Sequence, residues 1–156
     1  MELRWALPGV LAVGSLPRTR EDVERLKREG IRAVLSLHPV SFLTAEVIRD
    51  AGMAHRTEEV EDFSVPSLEQ MDSLRADMDC WAEQGLPIYV HCYAGIGRSR
   101  TVAAAWLSLR QDSVEEAFER VGLPQTARQI LFVEEYFRLH RGSQRQGSAG
   151  EYGAGA

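Results

Sequence analysis

The chain has 156 residues, 44% of them hydrophobic and 26% charged, with a formal net charge of −5. That length supports one domain whose core needs no staples, and two cysteines, Cys80 and Cys92, give no disulfide framework. The acidic balance argues against nucleic acid as a general partner, no apolar run is long enough to cross a bilayer, and Met1 to Trp5 does not start a secretory leader, so a cytoplasmic monomer away from membranes is expected.

Residues 2–13 predict two short strands turned at Pro8-Gly9, with Trp5, Leu7, Val10, Leu11 and Val13 as the apolar positions. Thr19 and Asp22 form a weaker version of the capping box at a helix that turns Val23 and Leu26 inward and ends at Gly30. Ile31 to Leu37 is a continuous apolar run, the look of a strand buried on both faces. The loop after it holds His38 and Phe42. Loops at strand C-termini of α/β sheets gather around a site, which would bring both to a pocket rim; the competing expectation is a solvated loop with Phe42 dipping into the core. A helix from Thr44 to Ala51 ends at Gly52, and residues 53–57 read as another strand, with His55 at the surface.

Glu58 to Pro66 is an acidic loop with an aromatic and a proline just before a helix, which by composition reads as a solvated linker. Ser67-x-x-Gln70 then makes a capping box, and Leu68, Met71, Leu74, Met78 and Trp81 follow as one apolar stripe to Gly85. Cys80 on this helix is expected to be buried filler rather than a resolving thiol for Cys92.

The informative stretch is His91-Cys92-Tyr93-Ala94-Gly95-Ile96-Gly97-Arg98-Ser99, set between the strand Leu86 to Val90 and a helical run from Thr101. Such a turn wraps successive amides around a concavity and aims a helix N-terminus into it, making an oxyanion cradle. Arg98 can add a bidentate fork that a lysine could not. A thiol at the floor of that positive field is expected to ionise well below about 8.5, and a nucleophile under a phosphate-sized nest implies covalent phosphoryl transfer. Ser113-x-x-Glu116 is read as a capping box that starts a further helix, Gly122-Leu123-Pro124 breaks it, and the last helix is read from about Gln125 to His140.

The stretch from His91 to Ser99 resembles the signature loop of the cysteine-dependent protein phosphatases, most closely their small dual-specificity branch. The resemblance implies an α/β fold, with a central, mostly parallel sheet of about four to five strands flanked by helices. A single catalytic domain is expected over residues 1–140, and the Gly-, Ser- and Ala-rich composition from Arg141 onward reads as a disordered tail over 141–156. By the same resemblance Cys92 is the nucleophile and Arg98 the phosphate clamp. His91 braces the loop and helps lower the thiol pKa, and Ser99 eases departure of the sulfur. The amides of Tyr93, Ala94, Gly95, Ile96, Gly97 and Arg98 bind the phosphate oxygens. Asp62, about thirty residues before the cysteine and followed by Phe63 and Pro66, resembles the general acid, with Glu61 and Glu59 as local competitors. Pro124 to Gln129 resembles the glutamine segment of the wider tyrosine-phosphatase superfamily, so Gln125 or Gln129 either positions the hydrolytic water or is structural.

Arg100 departs from the pattern, since many family members carry a small residue there; pairing with a surface carboxylate is expected rather than a role with acidic substrates. The resulting expectation is a two-step phosphatase that uses neither metal nor cofactor and acts on phosphotyrosine, with phosphoserine and phosphothreonine as further substrates of a phosphorylated protein or peptide. A phosphoinositide or RNA 5′-phosphate is the alternative substrate class, against which the uncharged Tyr93, Ala94 and Ile96 argue. A phosphate-binding module without turnover is the alternative of another class.

Overall fold

The computed structural model describes residues 1–154, with side-chain burial described through Gly142. Strands β1 (Leu3–Leu7) and β2 (Leu11–Gly14) form the antiparallel hairpin expected around Pro8-Gly9. Strands β3 (Ala33–Ser36), β4 (Ala54–Thr57) and β5 (Ile88–His91) complete one five-stranded sheet in the order β1-β2-β5-β3-β4. All pairings other than β1 with β2 are parallel, so β5 lies between β2 and β3 and its C-terminal end opens where a doubly wound sheet binds ligands.

The alternation of side chains along the buried strands sorts the core into two layers. Leu11, Val13, Leu35, Ile88 and Val90 face one side, where Met71, Leu74 and Met78 of α3 (Leu68–Glu83), most of α4 (Arg98–Gln111), and Ala117 and Val121 of α5 (Val114–Val121) pack with Val133 and Tyr136 of α6 (Ala127–Ala154). Ala12, Val34 and Tyr89 face the other side, against Val23 and Leu26 of α1 (Arg20–Arg28) and Ile48 of α2 (Phe42–Asp50). α4 is buried all round from Thr101 to Leu109, which suits a helix held between the sheet and two other helices. The helix that begins in the signature loop is therefore the rigid centre of the molecule.

The capping boxes predicted at Thr19 and Ser67 both form, each with its reciprocal pair of hydrogen bonds. Four details differ from the sequence reading. α2 starts two residues before Thr44 because the Ser41 hydroxyl caps it, which puts Phe42 on an exposed first turn, 76% accessible, rather than in the core. Leu68 is exposed, so the apolar stripe of α3 begins at Met71. Cys80 is exposed because it lies off the stripe made by Met71, Leu74 and Met78; it is not buried filler. The last helix, read as ending near His140, extends as Ala127–Ala154; residues 155–156 of the sequence-read tail lie outside the described residues.

Candidate active site

β5 delivers His91 and Cys92 to the end of the sheet, and the chain turns through Tyr93 to Gly97 into the first turn of α4. Two glycines make that turn possible. Gly95 takes φ +84, and a Cβ there would stand 2.5 Å from the Gly14 carbonyl carbon. At Gly97, the N-cap of α4, a Cβ would stand 2.7 Å from Gln125 Oε1. The loop is thus pressed against the end of β2 on one side and against the start of the last helix on the other.

Cys92 is buried, with Sγ 3.3 Å from both the Ser99 hydroxyl and the Gly95 amide. Burial alone would raise its pKa. The Ser99 hydroxyl and the amides of Ser99, Gly95 and Gly97 outweigh that and hold the thiol below its ordinary value. The lowered thiol pKa is the direction that the loop's sequence leads one to expect.

Arg98 is only 5% exposed, and its fork is partly in use. Nη1 donates to the Val60 carbonyl at 2.9 Å and stands 3.4 Å from His38 Nδ1, which fixes the guanidinium's orientation. Among the described residues Nε is buried with no hydrogen-bond partner, and Nη2 lies 3.6 Å from the Asp62 carboxylate. A buried guanidinium donor left unpaired costs free energy unless an acceptor arrives, so the fork is set to receive one. Asp62 itself is exposed; it accepts the Phe63 amide at 3.0 Å, and among the described residues it is the loop acid that pairs with Arg98. Glu59 and Glu61 line the same cavity, of about 690 Å³, with Leu37, His38, Val60 and Tyr93. His38 meets Tyr93 edge to face at 5.4 Å between ring centres, so it does line the site, whereas Phe42 is absent from the lining.

Behind Cys92 runs a hydrogen-bonded chain that the sequence reading missed. His91 Nδ1 is 2.9 Å from the Cys92 carbonyl, its Nε2 is 2.6 Å from Ser36 Oγ, and that oxygen is 2.8 Å from His55 Nε2. Burial pushes the His91 pKa down to about 4, against the opposing bond to the Cys92 carbonyl and with help from His55, His38 and Arg98. A neutral ring beside a carbonyl must donate from Nδ1 and accept at Nε2. Ser36 therefore donates to His91 and accepts from His55. His91 ties the loop backbone at Cys92 to Ser36, and with a pKa of about 4 its ring is neutral near pH 7, so it brings no charge to the thiol. His55, expected at the surface, is half-buried within this network. The signal available in the sequence was Ser36 itself, a hydroxyl inside an apolar buried strand, which needs a partner.

The two glutamines separate. Gln129 is fully buried; its Oε1 accepts the amides of Gln125 and Thr126, and its Nε2 donates to the Ser64 carbonyl at 3.2 Å. It ties the start of α6 to the acid loop. Gln125 is more exposed, with its side-chain oxygen beside Gly97. Arg100, expected against a carboxylate, instead donates to the Leu123 carbonyl at 3.0 Å.

Comparison with known proteins agrees with this geometry. The family model described as "PTP-SAK: Swiss Army Knife protein, DSP-PTPase phosphatase domain" matches residues 1–146. Phosphatidylglycerophosphate phosphatase PTPMT2 of Arabidopsis thaliana is 32% identical over 151 residues, covering 88% of this chain and 65% of the relative. Cyclin-dependent kinase inhibitor 3 of Rattus norvegicus is 25% identical over 145 residues, covering 86% and 68%. The chain thus spans about two-thirds of the length of these relatives. Among solved structures, PTPMT1 superposes with a TM-score of 0.78 at 22% identity, covering 93% of this chain and 99% of the other, which shows the shared fold. With the signature nest, the sheet order and the match across residues 1–146 in agreement, the chain belongs to the PTP-SAK family of DSP-PTPase phosphatase domains.

Proposed function

We propose that this protein is a metal-independent phosphatase that hydrolyses phosphotyrosine, and other monoesters with a good leaving group, through a phosphocysteine intermediate. The observation that carries the reading is the Arg98 fork, buried beside the Cys92 nest with Nε unpartnered and Nη2 3.6 Å from the Asp62 carboxylate. In the first step the Cys92 thiolate attacks phosphorus in line, the bond to the leaving oxygen breaks, and protonated Asp62 gives that oxygen its proton. Arg98 and the amides from Tyr93 to Arg98 hold the three equatorial oxygens throughout, a preorganised electrostatic contribution. In the second step water attacks phosphorus, the Asp62 carboxylate takes its proton, and the sulfur leaves with its electron pair, stabilised by the Ser99 hydroxyl. Gln125 is the better placed of the two glutamines to orient that water, because the Gln129 amide is already engaged.

The walls of the cavity support an aryl ester. Tyr93 and His38 form an aromatic side, and Glu59 and Glu61 would repel a polyanionic headgroup. A second reading, a phosphomonoester on a lipid, is supported by the 32% identity to a phosphatidylglycerophosphate phosphatase. Exposed Leu43, which lines a cavity with Arg18 and Arg20, adds to it.

Hydrolysis of a small aryl phosphate in excess chelator tests the chemistry, with Cys92→Ser expected to abolish it. Activity surviving that substitution would refute the mechanism, and phosphate binding without turnover would leave a binding module. Asp62→Asn should cost about 10²–10⁴-fold on alkyl phosphates and much less on esters of acidic phenols; equal losses across the series would exclude Asp62 as the acid. The ratio of kcat/KM for a phosphotyrosine peptide to that for vesicles containing phosphatidylglycerophosphate decides between the two substrate classes.

A further inference from the structure

A second positive cluster lies outside the catalytic nest and takes no part in the chemistry above. Arg100 on α4 and Arg4 on β1 line a separate cavity of about 240 Å³ together with Glu2, Ala94, Gly95 and Ile96. A water's share of liquid volume is about 30 Å³, so the space holds a phosphate or carboxylate group with several waters.

Both guanidinium groups are anchored, and neither is neutralised. Arg100 Nη1 donates to the Leu123 carbonyl, and its plane lies against Gly122, where a Cβ would come within 3.1 Å of Cζ. Arg4 Nη2 donates to the Glu119 carbonyl at 3.2 Å. These carbonyls, at and just beyond the end of α5, carry only fractional charge. Among the described residues neither arginine pairs with a carboxylate. Arg100 Nε is buried and has no hydrogen-bond partner among the described residues. Burial and the repulsion of Arg4 both lower the Arg100 pKa, while Cys92 acts on it in the opposite sense, so Arg100 lies within electrostatic reach of the nucleophile. Glu2, the one acid in the lining, leaves the cavity with a positive balance inside a chain of net charge −5.

We propose that this cavity is a second anion site, which takes a phosphate or carboxylate group carried by the same substrate whose phosphomonoester enters the Cys92 nest. The proposal rests on the phosphatase reading for the source of the anion, but not for the site itself. The cavity borders the tip of the signature loop at Ala94, Gly95 and Ile96, and both Ala94 and Ile96 are exposed. The loop residues Ala94 to Ile96 are thus the wall that the second cavity shares with the signature loop. The other source of the same chemistry is a free small anion.

Two experiments separate these cases. In the first, the nest is filled with orthovanadate and sulfate is titrated while backbone amide resonances are followed. Saturable shifts at Leu3, Ala94, Gly95 and Gly122 are expected in the parent, with affinity at least about tenfold weaker in Arg100→Gln and partly kept in Arg100→Lys, the size expected for a charge-assisted bond. Shifts that do not saturate, or that are the same in Arg100→Gln, would overturn the site; the spectra also report whether each variant is folded. In the second, kcat/KM is compared for a phosphotyrosine peptide and the same peptide with a second phosphorylated residue nearby. The second phosphate should raise kcat/KM about tenfold, and Arg4→Gln or Arg100→Gln should return the ratio towards one. A ratio that the substitutions leave untouched would overturn the substrate as the source and leave a free anion. No turnover of either peptide would refute the phosphatase reading, and the sulfate titration would then decide the anion site alone.

Discussion

Neutral His91 holds the backbone at Cys92, and its burial has a cost that depends on pH. Its folded pKa of about 4 lies below the ordinary 6.5, so between those values the unfolded chain binds more protons than the native one. Stability from this group is fully present above about 6.5 and is lost as the pH falls towards 4, by up to about 3 kcal/mol. His55 is lowered by burial as well and acts in the same sense. Urea denaturation from pH 7 to 4 should show this decline, and His91→Asn should flatten it; an unchanged slope would mean that His91 is already protonated in the native state. The clustering of Cys92, Arg98 and Ser99 in one loop was legible because one contiguous motif encodes it. The partners of His91 were not, because Ser36 and His55 reach it only through the lateral pairing of β5, β3 and β4, and no local pattern states which strands are neighbours.

The elements were legible wherever a cap or a period marks them. Thr19, Ser67 and Ser113 each accept the amide three residues on, as their spacing predicts. Ser41 does the same and was overlooked because no acidic residue or glutamine follows it at the third position. The contact between the acid loop and α6 lay beyond such patterns. There Gln129 holds the Ser64 carbonyl, and Phe63 stands between Asp62 and Ser64 with φ +63, a left-handed backbone that a phenylalanine adopts only under constraint. Gln129→Leu should therefore move the acid rather than the nucleophile. Its expected signature is a milder form of the Asp62→Asn phenotype, about tenfold on poor leaving groups and little on good ones, with a stability loss of about 1–3 kcal/mol. A slowed second step with an unaltered leaving-group dependence would instead assign Gln129 to the water.

At the scale of the molecule, the core among the described residues reaches no further along α6 than Phe137. The residues beyond carry Gly142, Gly147, Gly150 and Gly153, each about 1 kcal/mol worse than alanine in a helix. Truncation after Gly142 should change unfolding free energy by no more than about 0.5 kcal/mol, and a larger loss would place part of the core in that segment. The α/β class and mostly parallel sheet followed from the resemblance; the antiparallel hairpin edge followed from the turn at Pro8-Gly9.

The packing of Gly95 against Gly14 also bears on how the protein is made. The signature loop seats on a strand from early in the chain, follows a strand, β5, that pairs with β2 and β3 from the first half, and meets Gln125 in the last third. During synthesis the nest cannot close until nearly the whole domain has left the ribosome. Neither a nascent fragment nor a proteolytic half should have any thiol reactivity beyond that of a free cysteine.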